Sequence, residues 1–507
     1  MSGRIAFLTA LIAGILAALG HAPFGLWPVS LVGFILLSAM IAGALSRDER
    51  LAQRNAEARW RTAKLGWAGG LGYFALTLSW IVEPFLVDIA RHGWMAPFAL
   101  VLMAGGLALF WGLAGWVSRG HVLTWAVALS ALEIVRGHIF TGFPWALPGY
   151  VLIDTPAAMW ASVLGPYGLT ALTLVFAALV VCVWACRGRA RYAVAMGGLT
   201  LAVAGAFGSV LEAPSESEQN ALGTVRLIQP NAPQDEKWDP QRAPVFVARQ
   251  IEFTAAPKQG VDLVVWPETA IPYRLHRAAP VLSQIAGAAE GAPVVTGINR
   301  TVAERHHNAL IVLDSTGQAR DVYDKVHLVP FGEYIPFGQF AEWIGMRSFA
   351  ARDGYGFSPG PEVRLIGTPL GAALPLICYE AIFPGHGRGL ERPDYLLQIT
   401  NDAWFGTFSG PYQHLDQARF RAIEQGLPFV RVANTGVSAV IDANGRIVKA
   451  LGLGVAGYVD VAVPEGRSPT LYSRTGDFFA AVVLLAALSG LLLADRRNAI
   501  ANGRIRQ

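Results

Sequence analysis

Two kinds of hydrophobic patterning divide this chain. Long apolar runs fill residues 1–211 and return at 475–494, whereas 212–474 alternates short β-branched runs with polar, helix-like stretches. A membrane-spanning helix needs about 20 largely apolar residues. Runs of that character fall at 5–20, 28–46, 65–84, 95–117, 122–138, 165–185, 193–211 and 475–494. They predict about eight transmembrane helices: seven in a domain of residues 1–211, and an eighth at 475–494 followed by a tail at 495–507. The first run is short and follows a basic start, as a signal peptide would, but a second apolar run begins almost at once.

The middle part has another rhythm. Residues 224–230 (TVRLIQP), 261–266 (VDLVVW), 293–298 (PVVTGI), 309–314 (ALIVLD), 373–377 (ALPLI), 395–400 (YLLQIT) and 437–442 (VSAVID) are short, β-branched and bounded by turn formers, which predicts strands. Helical patterns at 241–256, 280–290 and 411–426 lie between them. Alternating strands and helices imply an α/β layered domain over 220–470. Asn308 and the STG at 315–317 mark a hairpin.

Composition sharpens the division. The chain has 507 residues, of which 53% are hydrophobic and 15% charged, against about 25% charged in soluble proteins. The net charge of +4 does not point to nucleic acid, because Lys and Arg concentrate in short loops between apolar runs. Residues 47–64 carry Arg47, Arg50, Arg54, Arg59, Arg61 and Lys64; residues 186–192 carry Arg187, Arg189 and Arg191; the tail carries Arg496, Arg497, Arg504 and Arg506. Basic loops stay in the cytoplasm. With eight spans, both termini are then expected to be cytoplasmic and the 220–470 domain extracytoplasmic.

Trp80, Glu83, His92, Trp94, His138 and Trp145 read as an interfacial belt. Glu133 and Arg136, three apart near a membrane end, are a candidate site for a charged head group.

The cysteines narrow the chemistry. Cys182 and Cys186 lack His or further Cys partners, so they do not suggest a metal site. Cys378 has no partner within its domain, which excludes a disulfide scaffold and leaves a lone thiol to explain. Glu268 and Cys378 stand at or just after strand ends, where sites gather in open α/β sheets, and Lys325 joins them as a third candidate. A cysteine nucleophile needs a base to take its proton and a cation to stabilise charge. Glu268, Lys325 and Cys378 supply those roles without a histidine. His327, His414, Asn401 and Asp402 are read as bracing the site through hydrogen bonds.

The motifs WPE at 266–268, DKVHLVPFGEY at 324–334 and CYE at 378–380 resemble those of the carbon–nitrogen hydrolase (nitrilase) superfamily. Their insertion among membrane spans resembles the apolipoprotein N-acyltransferase family more closely. APFGLWP at 22–28, GFPWALPGY at 142–150, QPNAPQDEKW at 229–238, TNDAWFG at 400–406 and RVANTGVSAVID at 431–442 add to that resemblance. It implies an αββα sandwich, a bacterial inner-membrane location with a periplasmic catalytic domain, a phospholipid acyl donor and a diacylglyceryl-apolipoprotein acceptor. It implies no metal or cofactor. By the same resemblance Glu268 matches the general base, Lys325 the charge-stabilising lysine and Cys378 the nucleophile. Glu333 matches a second required glutamate, Tyr379 and Glu380 the residues after the nucleophile, and Trp238 and Trp404 substrate-side tryptophans.

A thioester on Cys378, formed from a lipid ester and discharged by an amine, is the expected route. Residues 335–357 are rich in aromatic residues broken by glycines, which suggests a membrane-facing lid in which Phe340 and Trp343 contact lipid. Two other readings stay open on the residues alone. One is a membrane-anchored amidase of the nitrilase type; the other is a transporter with an external ligand-binding domain.

Overall fold

The computed structural model describes residues 3–43, 56–185, 189–211, 221–336 and 356–504. The chain divides into two compact units. One comprises Met1–Val82, His92–Glu212 and Leu471–Gln507; the other comprises Glu83–Arg91 and Ala213–Thr470.

The first unit is helical, and the eight-span expectation is not met there. By length and composition, three described helical stretches can cross a membrane: Ile89–Ser118, Pro156–Trp184 and Phe478–Asp495. A fourth arises only if Glu57–Thr77 and Ser79–Leu86, bent by 62° at their junction, count as one span. The shortfall has plain causes. Gly3–Ala18 and Trp27–Gly43 run 16 and 17 residues, below the ~20 that a spanning helix needs. Val122–His138 also runs 17 residues and carries Glu133 and Arg136. The helix over 189–206 opens on Arg189 and Arg191. An apolar run in sequence thus overstated what folds as one straight spanning helix.

These helices pack closely through small residues. A Cβ on Gly14 would lie 1.9 Å from the Gly69 carbonyl oxygen, so only glycine fits there. Glu133 and Arg136 are both fully buried within this unit. Arg136 Nε donates to Glu133 Oε2 at 2.9 Å, and Trp111 Nε1 donates to Glu133 Oε1 at 2.9 Å. The pair is closed on itself and braces helices; it presents no charge for a head group.

The second unit is an α/β domain built on two sheets. Its strands, in chain order, are β1 (Ala221–Gln229), β2 (Leu263–Val265), β3 (Ile271–Arg274), β4 (Val294–Val302), β5 (Arg305–Leu313), β6 (Ala319–Asp324), β7 (Ile366–Thr368), β8 (Gly371–Ile377), β9 (Tyr395–Thr400), β10 (Phe429–Ala433), β11 (Ser438–Ile441), β12 (Ile447–Leu451) and β13 (Gly457–Pro464). Among the described residues one sheet runs β13-β1-β2-β4-β5-β6, with β3 on β4, and the other runs β12-β11-β10-β9-β8-β7. Each has a parallel heart, β1-β2-β4 and β8-β9-β10, flanked by antiparallel strands.

Period-two alternation gives both sheets two apolar faces. Val225, Leu227, Val265 and Leu310 of the first sheet pack against Ile377, Leu397, Ile399 and Val430 of the second. The outer face of the first sheet, with Ile228, Val264 and Ile311, is covered by Val247 of helix Ala243–Ala255 and by Leu282 and Ile285 of helix Ala279–Ala289. Leu374, Leu396 and Phe429 of the second sheet meet Leu415, Ala418 and Ala422 of helix Gly410–Gln425. The layers are therefore helix, sheet, sheet, helix. Residues buried on both sides of a strand give near-continuous apolar runs, which is why β2 and β8 stand out in the sequence.

Candidate active site

Cys378 follows the last residue of β8 and opens a short 3-10 turn, Cys378–Ile382. Its φ is +50°, a left-handed conformation that an L side chain rarely adopts. Such strain persists only where the surroundings over-determine it. Here Gln398 Nε2, from the neighbouring β9, donates to the Cys378 carbonyl oxygen at 3.0 Å. The strand end and this bond hold Cys378 buried, at 6% exposure, at the edge of the core between the two sheets.

Glu268 reaches the site from just beyond β2, and Lys325 from just beyond β6. Lys325 Nζ lies 2.9 and 2.8 Å from the two carboxylate oxygens of Glu333, and 3.7 Å from Glu268 Oε1. Asn308, inside β5, bridges the two acids: its Nδ2 donates to Glu268 Oε1 at 2.6 Å and to Glu333 Oε1 at 3.2 Å. The Val329 N–H donates to Glu333 Oε2 at 2.8 Å. All four side chains are buried.

Glu380 is fully buried and ties the segment of Cys378 to that of Lys325. Its Oε1 accepts from the Val326 N–H at 2.7 Å, the His327 N–H at 3.1 Å and the Tyr323 hydroxyl at 2.9 Å; its Oε2 accepts from the Ile377 N–H at 2.8 Å. Tyr379 is buried edge-on against Phe383, with ring centroids 5.1 Å apart, and Phe383 stacks on His327 at 3.7 Å. His327 thus helps wall the site.

Behind Cys378 lies a polar network without measurable exposure. Arg431 pairs with Asp402 Oδ2 and donates to Gln398 Oε1. His414 Nδ1 is 2.9 Å from Asp402 Oδ1, and its Nε2 is 3.0 Å from Gln398 Nε2. Burial, then Arg431, lowers the His414 pKa below the usual histidine value, against the pull of Asp402. The His414 Nε2 also lies 3.2 Å from the Cys378 carbonyl oxygen, and Arg431 Nη2 lies 3.3 Å from the His414 Nδ1. Asn401, beside Asp402, accepts from Asn434 Nδ2 at 2.8 Å and donates to Gln234 Oε1 at 2.8 Å.

Burial dominates the electrostatics. It pushes the Glu268 carboxyl above the usual carboxylate range, and the Lys325 ammonium offsets this only in part. Burial works against the charge on Lys325, yet Glu333 and Glu268 outweigh it and hold the lysine protonated. The Cys378 thiol is pushed well up by burial and by the Glu268 carboxylate, against the pull of Lys325. Burial thus favours the neutral Cys378 thiol over a free thiolate.

Trp238 is half-buried, with Lys237 Nζ 5.6 Å from its ring centre. Lys237 in turn contacts the Glu268 backbone, so Trp238 lies next to the site. Trp404 is half-buried on the 3-10 turn Asp402–Phe405. Phe340 and Trp343 lie outside the described residues. Sequence reasoning passed over Asn308 as a bridging amide, and also Lys237, Gln398 and Arg431. The available signal for Arg431 was a charged residue inside an otherwise apolar strand, FVRVA.

The carbon-nitrogen hydrolase family model matches residues 208–468, and the model for the apolipoprotein N-acyltransferase N-terminal domain matches 13–179. The apolipoprotein N-acyltransferase of Rhodopseudomonas palustris is 39% identical over 515 residues, covering 96% of this chain and 95% of that protein. That of Caulobacter vibrioides is 40% identical, covering 96% and 94%. Among solved structures, an amidase from Nesterenkonia sp. is similar over 48% of this chain and 91% of its own, at 19% identity and a TM-score of 0.35. Matched along nearly its whole length by such relatives, the chain belongs to the apolipoprotein N-acyltransferase family and is a multi-pass membrane enzyme of acyl transfer.

Proposed function

We propose that this enzyme moves an acyl chain from a phospholipid to the α-amino group of the N-terminal diacylglyceryl-cysteine of apolipoproteins, through a thioester on Cys378. The observation that carries this reading is the charge cluster around the thiol: a base with a raised pKa, Glu268, and a lysine, Lys325, whose charge is secured by Glu333. Both Glu268 and Lys325 act electrostatically on the Cys378 thiol.

In the first half-reaction Glu268 takes the thiol proton as Sγ bonds to the ester carbonyl carbon. Lys325 and a backbone N–H near Tyr379 hold the oxyanion. The carbon–oxygen bond to glycerol then breaks, and Glu268 returns the proton to the departing lysophospholipid. In the second, the acceptor amine attacks the thioester and gives its proton to Glu268. The carbon–sulfur bond breaks and the thiolate recovers that proton. A base whose pKa burial raises above the usual carboxylate range suits both directions of transfer.

The catalytic unit is read as facing the periplasm. Phe478–Asp495 is a spanning helix, and Arg496, Arg497, Arg504 and Arg506 follow it. Positive flanks stay cytoplasmic, so the other end of that helix, where the catalytic unit joins it, lies on the far side.

Purified enzyme given a phospholipid with a labelled acyl chain and a diacylated lipopeptide tests the function. Label on the lipopeptide α-amine, lost in Cys378→Ser, is the expected result. Label released only as free fatty acid, or cleavage of small amides without transfer, would overturn it.

A further inference from the structure

The Glu268 side chain departs from a strained turn. Thr269 has φ +44°, a left-handed conformation that is an outlier for a β-branched residue. The flanks of the turn are held by Gly297: its N–H donates to the Pro267 carbonyl at 3.1 Å, and its carbonyl accepts from the Ala270 N–H at 3.0 Å. A Cβ at 297 would lie 2.6 Å from Glu268 Cα, so the approach needs glycine. Asn308 holds the tip of the Glu268 carboxylate. The centre of the turn is left to Lys237, whose Nζ donates to the Glu268 carbonyl oxygen at 3.0 Å and to Thr269 Oγ1 at 2.8 Å.

A neutral donor would satisfy those two acceptors. Instead a lysine is buried there, at 7% exposure, at a desolvation cost that pulls its pKa down to about 8. The placement makes sense if the charge itself is used. Lys237 interacts electrostatically with both Glu268 and Cys378.

We propose that Lys237 is a positioning residue for Glu268, fixing the left-handed Glu268–Thr269 turn and adding a second positive charge behind the base. The proposal rests on the reading of Glu268 as the general base. The charged and titratable groups facing that carboxylate are Lys325, Glu333, Lys237 and the Cys378 thiol. Lys325, itself paired with Glu333, exerts the larger pull on the Glu268 carboxyl, and Lys237 adds to it from the backbone side of the turn. Removing Lys237 therefore takes away a cation that favours the Glu268 carboxylate, and the base should lose its proton only at higher pH.

The test compares full-length wild type, Lys237→Met and Lys237→Arg in detergent, reading single-turnover acylation of Cys378 from a labelled phospholipid across pH. Lys237→Met is expected to acylate roughly 10²-fold more slowly, the scale of a misplaced catalytic group. Its acid limb should move to higher pH while KM for the lipid stays close to wild type. Lys237→Arg, which keeps the charge, should recover part of the rate and return the limb toward its wild-type position. An unchanged rate in Lys237→Met would overturn the proposal. So would a slower rate with an unshifted limb and no recovery in Lys237→Arg, which marks a residue that only supports the fold. A wild type that forms no adduct on Cys378 would overturn the base reading of Glu268, and this inference with it.

Discussion

The Lys325 ammonium sits against both carboxylate oxygens of Glu333, at 2.9 and 2.8 Å, in a buried ion pair. Glu268 stands farther off, at 3.7 Å. The division matters, because a carboxylate locked onto a lysine is a poor proton acceptor. Glu333 takes up the lysine's charge, which leaves Glu268 free for the base role proposed for it.

Glu333→Gln is expected to leave Glu268 as the nearest counter-charge to Lys325. With Glu333 neutral, the Glu268 pKa falls, since the Glu333 charge now raises it. Acyl-enzyme formation should drop by about 10²-fold or more, with the acid limb of the pH profile moved to lower pH. Rapid-quench measurement of Cys378 acylation across pH checks both the size and the direction.

The Cys378 thiol, pushed up by burial and by Glu268, should alkylate slowly with iodoacetamide at neutral pH and faster as pH rises. Replacing Glu268 with Gln removes a charge that disfavours thiolate. The alkylation midpoint in Glu268→Gln should therefore move to lower pH, while acyl transfer falls by roughly 10²–10⁴-fold. A thiol that ionises more easily in a less active enzyme would separate the base role from simple thiol activation. Mass spectrometry of the alkylated peptide provides the readout.

Burial would raise the Asp402 carboxyl, but Arg431 and then His414 hold it down at about 2. Its folded pKa is thus depressed below the unfolded value of about 3.9. The associated stability, on the order of 2 kcal/mol, is present above about pH 4 and is lost as pH falls toward 2. Asp402→Asn strands the buried Arg431 and should cost on the order of 3–5 kcal/mol. Adding Arg431→Met should restore much of that. Thermal midpoints in detergent for the two single variants and the double variant measure the coupling.

Much of the catalytic unit is legible in the sequence, for a physical reason. Strands such as LVV at 263–265 and ALPLI at 373–377 are buried on both faces, so they appear as compact apolar runs that end at Glu268 and Cys378. The hairpin at STG also folds where its turn residues suggest, with Asp314 accepting from the Thr316 and Gln318 N–H groups. Asn308, by contrast, is no turn marker but a mid-strand residue in β5, and its side chain serves the site. β12 escapes notice because it is largely exposed, and β13 because its buried Val459, Val461 and Val463 alternate with polar and exposed positions.

The helical unit was less legible. Hydropathy reports an apolar environment, but a spanning helix also needs unbroken length. The break after Thr77 and the Glu133–Arg136 pair interrupt that length in ways that mean hydropathy averages over. Lys237 is hidden for another reason. Next to Asp235 and Glu236 it reads as a solvated turn charge, and only the fold turns it inward to Glu268.

The central claim is that Cys378 carries the acyl group between donor and acceptor. The most direct measurement incubates the enzyme with a phospholipid bearing one labelled acyl chain, without acceptor, and maps the label by mass spectrometry. A hydroxylamine-sensitive adduct on Cys378 is expected, which disappears when a diacylated lipopeptide is added, with the label appearing on its α-amine. Labelled lipopeptide formed without any adduct on Cys378, or formed equally well by Cys378→Ser, would contradict it.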